Sequence, residues 1–146
     1  MKTLVIIHAA LCLGLIFAIV LFYSLVQAFS TQMDASDPLT YGVPIAAILG
    51  YFGSKFFFRK QVESISKDDA LKTKFSKYQT ASIIQYGLLE APAFLGILAY
   101  YLTANALFLV ISVTLTLYIM SLRPSKEKFT KVIPLDGGER RNLDEI

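Results

Sequence analysis

Between Lys77 and Arg123 the chain carries one charged residue, Glu90, in an otherwise apolar stretch. An ionised carboxylate halfway across a bilayer costs about 2.5–3.5 kcal/mol on insertion scales. The position therefore suits a protonated acid, a partnered one, or one facing a water-filled cavity. Tyr86 precedes it by one helical turn, on the same face, where its hydroxyl is expected to hydrogen-bond the carboxyl group. Gln85 and Ser82 extend a polar strip away from it. Pro92 has no N–H, which leaves the Leu88 carbonyl without its helical partner and predicts a bend with exposed backbone oxygen beside the acid. His8, the one histidine, titrates near neutrality and is the expected proton acceptor leading toward Glu90. Glu90, Tyr86, Gln85 and His8 thus form a candidate proton or cation set. The competing reading is structural: Glu90 hydrogen-bonds a neighbouring helix and His8 is an interfacial side chain.

Residues in this pattern need helices that cross lipid. Hydrophobic residues make up 55% of the 146 and charged ones 17%, with a mean hydropathy of +0.55. No charge occurs between Lys2 and Asp34 or between Asp37 and Lys55. Uncharged apolar runs of about 18 or more residues read as membrane-spanning helices. Four such runs, at about 4–29, 39–58, 78–102 and 104–122, predict an all-α integral membrane protein. Short links between them make it a four-transmembrane-helix antiparallel bundle. Residues 1–122 form this domain, 59–77 its cytoplasmic loop and 123–146 a cytoplasmic tail. In the second span Lys55 is expected to snorkel to the interface. In the tail Lys126 to Lys131 is expected to start a short surface helix, with a frayed or partner-dependent end from Glu139.

All 14 lysines and arginines precede the first run, flank or fill the loop between the second and third, or follow the fourth. The positive-inside rule then puts both termini and that loop in the cytoplasm. A cleaved signal peptide ending near Ala28 is the rival for the first run, but that run is longer than a signal core of about 7–15 residues. The net charge of +3 fits attraction to anionic membrane lipids. The basic residues are interspersed with acids and lack a base-stacking motif, which excludes a nucleic-acid partner.

Small residues at four-residue spacing (Gly14 in the first run, Gly42, Ala46 and Gly50 in the second, Gly87 in the third) predict close helix packing, inside one bundle or in a homo-oligomer. The chain lacks GxSxG, Walker, GxGxxG and HExxH motifs and holds the single Cys12. No enzyme, cofactor or metal site is expected from it.

The run from Tyr86 to Gly96, YGLLEAPAFLG, resembles the ion-binding helix of rotary-ATPase proteolipid (c-type) subunits. That resemblance implies Glu90 as the carrier of a proton or sodium ion. It covers about a dozen residues, without the glycine-rich partner helix of that family. The whole chain is similar to small four-helix proteins of bacterial inner membranes that carry no assigned activity. The functional expectation is an accessory or assembly subunit in a larger membrane complex. The alternatives are a proton- or cation-coupled transport element using Glu90, and a lipid or quinone binder at the cleft beside Pro92.

Overall fold

A computed structural model describes residues 1–143. Six helices follow one another: α1 (Lys2–Val26), α2 (Leu39–Glu63), α3 (Leu71–Thr103), α4 (Ala106–Ser121), α5 (Lys126–Val132) and α6 (Gly137–Arg141). The described residues contain no strand, and the one β-bridge joins Ser30 to Asn105. The first three helices are each long and apolar enough to cross a membrane.

The helix bounds differ from those of the expected spans. Helix α2 continues to Glu63 and α3 starts at Leu71, so the 19-residue loop at 59–77 shrinks to the connection 64–70. Its ends are held by polar contacts. Asp69 accepts from the Ser66 amide at 3.1 Å and from Lys77 Nζ at 2.7 Å. The Lys77 ammonium holds the Asp69 carboxyl below its usual range. At 16 residues, α4 is shorter than the fourth run; at 1.5 Å per residue it reaches about 24 Å against a hydrocarbon core of about 30 Å. The chain then turns by 82° into α5.

Helix α3 is the hub and packs against α1, α2 and α4. At one end Val26, Leu39, Tyr100 and Phe108 meet in one cluster; at the other Leu4, Val62, Tyr78 and Leu122 do. Neighbours in sequence therefore run antiparallel, and α1 is parallel to α3. At the first end the backbones interlock: Ser30 N donates to Ala104 O at 2.9 Å and Ala106 N to Ser30 O at 2.8 Å. Asn105 caps α4 by accepting from Leu107 N and donates to Gln32 O. Ala104 takes a left-handed backbone at φ 54°, the conformation that stops a helix in one residue.

At the opposite end the tail folds back onto the bundle. Phe129 is fully buried against Phe75 and Tyr78, and Ile133 joins them. The short α5 expected at Lys126 is present. The frayed end expected from Glu139 is not, as far as Leu143; Asp144, Glu145 and Ile146 lie outside the described residues. Glu139 stands in a capping box with Asp136 and accepts from Lys74 Nζ at 2.8 and 2.9 Å. Lys74 is 1% exposed. A buried cation needs such a partner.

Glu139→Gln keeps the capping box, since Gln serves at that position, but leaves Lys74 without a counter-charge. It should release the tail at a cost of about 3–5 kcal/mol, read as faster tryptic cleavage at Lys131 and Arg140. Lys74→Met removes the charge itself and should cost less. Equal protection of wild type and Glu139→Gln would mean that the pair does not hold the tail.

Candidate functional site

The polar residues of α3 fall on two faces. Tyr86, Gln85 and Ser82 are buried, whereas Glu90 is half-buried beside the exposed positions Gly87, Ala91 and Phe94. On a helix of 3.6 residues per turn Glu90 lies between the buried stripe and the outward one. Its neighbour Leu89 packs in one cluster with Cys12 of α1. Among the described residues no group hydrogen-bonds or ion-pairs with the Glu90 carboxyl. The tyrosine expected to hold it points elsewhere: the Tyr86 hydroxyl donates to Leu122 O at 3.2 Å.

His8 is buried between helices as well, and its Nε2–H donates to Ile119 O at 2.8 Å. A backbone carbonyl can only accept, which fixes the ring's donor. The ring meets Tyr86 edge-on at 5.0 Å, and Cys12 Sγ lies 3.8 and 4.0 Å from its two nitrogens. A third donor completes the picture, as Lys128 Nζ reaches Ser121 O at 2.9 Å. Ile119 and Ser121 lie in the last turn of α4 and Leu122 is its C-cap, where helical carbonyls run out of helical partners; Ile119 O also accepts from Leu122 N at 2.9 Å, so the imidazole fills its second acceptor site. In lipid such oxygens are costly unless another group satisfies them. His8 from α1, Tyr86 from α3 and Lys128 from α5 supply those donors.

Pro92 sits inside a continuous α3, and the carbonyl it frees faces α2. A Cβ on Gly50 would stand 2.6 Å from Leu88 O and 2.8 Å from Pro92 Cγ. Only a glycine lets α2 approach that point. Gly96 does the same against α4, where an added Cβ would strike Ser112 Oγ; that hydroxyl hydrogen-bonds Ala93 O at 2.8 Å across the interface. The spacing of small residues predicted Gly50 but missed Gly96. A Cβ added at Gly14, Gly42 or Gly87 would meet nothing within 4 Å, so these three face outward and pack no helix of this chain. Ala46 is half-buried.

Lys55 does not extend toward the lysine-rich end. It donates to Tyr51 Oη and lies 4.2 Å from that ring's centroid, with Tyr118 at 5.9 Å. It sits on α2, which meets α3 at Leu88 and Pro92, away from the Glu90 side. Within the described residues no three or more His, Cys, Asp and Glu side chains cluster to hold a metal.

No family model matches the chain, and neither a curated protein nor a solved structure is significantly similar to it.

Tyr86→Phe, which removes one donor and no volume, should lower stability by about 1–2 kcal/mol, measured by thermal unfolding in detergent. Glu90→Gln should change it by less than about 0.5 kcal/mol, because nothing in the bundle depends on that carboxyl. The reverse order would restore Glu90 as an internal hydrogen-bonding group.

Proposed function

We propose that this chain is a four-crossing protein of a bacterial inner membrane with both termini in the cytoplasm, and that it serves as an accessory subunit of a larger membrane assembly. The crossing count is supported by the apolar α1, α2 and α3 and by α4, which reaches from Phe108 in the Tyr100 cluster to Leu122 beside the Tyr78 cluster. Orientation is supported by charge. All 14 basic residues gather toward the end that holds the starts of α1 and α3 and the tail, and Asp34 and Asp37 are the charged residues of the other. The packing of α1 against α3 and α4 and its His8–Ile119 hydrogen bond favour its retention over cleavage.

The single observation behind the accessory role is the unpartnered, half-buried Glu90 on the rim of an outward face. A polar group in that position gains most from a donor on another helix. Gly87 beside it has open space around it, which lets a partner backbone come near. His8, expected to lead protons toward Glu90, and Tyr86, expected to hydrogen-bond its carboxyl, instead give their donors to carbonyls at the end of α4. This favours docking over internal proton transfer.

Affinity purification of the tagged full-length chain from its own membranes in mild detergent tests the proposal. Wild type and Glu90→Gln, which keeps hydrogen-bonding capacity, should bring down the same discrete complex, and Glu90→Leu should lose it. A wild-type protein that runs alone and monomeric would refute the accessory role. Loss in Glu90→Gln with an intact fold would move Glu90 to the titrating, transport reading.

A further inference from the structure

At the lysine-rich end a cleft of about 210 Å³ opens between the bundle and α5. Phe58, Leu122 and Val132 give it apolar walls, and Ser82, Gln85 and Tyr86 line it with polar groups. Two of those three are already engaged: Ser82 Oγ donates to Tyr78 O at 2.9 Å and Tyr86 to Leu122 O. Gln85 is not. It is 7% exposed, and among the described residues it makes no hydrogen bond, although a carboxamide offers two donors and an acceptor. Buried amides are seldom left so. No fully enclosed side-chain nitrogen or oxygen lacks a partner among the described residues, so the free Gln85 amide must reach the open space of the cleft.

The chemistry of the rim indicates what occupies it. Lys128 and Lys131 stand at the mouth. Lys128 Nζ gives one hydrogen bond to Ser121 O, and Lys131 Nζ pairs with Glu127 at 2.7 Å. Each ammonium has three donors, so both retain capacity. The Lys131–Glu127 pair is exposed on both sides, at 71% and 76%, and such pairs yield readily to a better anion. Helix α5 turns 82° away from the end of α4, and its Lys126, Lys128 and Lys131 suit the headgroup level of a bundle that crosses a bilayer. Basic pockets between helices at that level suit anionic lipid heads.

We propose that this cleft binds the glycerophosphate head of an anionic phospholipid, with Gln85 hydrogen-bonding its glycerol or ester oxygens, Lys128 and Lys131 holding its phosphate, and the acyl chains leaving along Phe58 and Val132. The apolar walls favour a lipid over a free phosphate ester. The site rests on the bundle lying in a bilayer and is independent of any partner at Glu90.

The test is native mass spectrometry and thermal unfolding of the delipidated full-length protein in neutral detergent, titrated with phosphatidylglycerol, phosphatidylcholine or glycerol 3-phosphate. Phosphatidylglycerol should bind saturably and raise the Tm. Gln85→Leu should weaken that binding about tenfold, and phosphatidylcholine should have much less effect. Lys131→Glu, on an exposed side chain that folding does not need, should also weaken it and decides the matter if Gln85→Leu does not fold. Equal effects of the two lipids would overturn the site, as would phosphatidylglycerol binding that neither variant alters. Glycerol 3-phosphate binding with the same Gln85 dependence would overturn the lipid as its source.

Discussion

Water cannot rescue a backbone group inside a bilayer, so a helix that ends there must find its partners in the protein. On the proposed four crossings, helix α4 is where this chain meets that constraint. With 16 residues it falls about 6 Å short of the hydrocarbon thickness, and its last carbonyls are met by an imidazole, a phenol and an ammonium from three other helices. Those three bonds explain features that otherwise look unrelated. They account for a histidine buried in an apolar helix and for a tyrosine turned away from the acid on its own helix. At the opposite end the same need is met by main chain, through the Ser30–Asn105 bridge, with Tyr100 donating to Ala28 O at 2.9 Å.

Close approach is the second constraint. Lipid tails are as apolar as the side chains, so helices in a bilayer gain by packing tightly and by hydrogen bonding across their interfaces. Helix α3 achieves both at two points. Gly50 of α2 fits against the carbonyl that Pro92 leaves free, and Gly96 admits Ser112, whose hydroxyl ties α4 to Ala93. The proline is thus part of an interface as well as a break in the hydrogen-bond ladder.

The apolar runs made the long helices legible, because a stretch without charge has few other readings. The lysine-rich start of α3 was not legible. Its charges mark a loop by composition, yet Lys74, Tyr78, Ala81, Ser82 and Gln85 repeat at helical spacing and are all buried; extending the buried stripe backwards from Leu89 would have found them. Glycine spacing named a face without saying whether that face meets a helix or lipid, so Gly14, Gly42 and Gly87 were grouped with Gly50. The link between Tyr86 and Glu90 failed for a related reason. Adjacency on one helix makes a hydrogen bond geometrically available, but a stranded carbonyl on another helix competes for the same donor. The Lys74–Glu139 pair joins residues far apart in sequence, and no local pattern announces it.

Every functional statement depends on the bundle crossing the membrane with its lysine-rich end inside the cell. Single cysteines test this directly in a Cys12→Ala background, at Ser36, Ser66 and Asn142, all exposed and on opposite ends of the bundle. A membrane-impermeant maleimide applied to cells with a permeable outer layer should label Ser36→Cys at once, and Ser66→Cys and Asn142→Cys only after lysis. Labelling of Ser66→Cys or Asn142→Cys from outside, or protection of Ser36→Cys, would contradict the account.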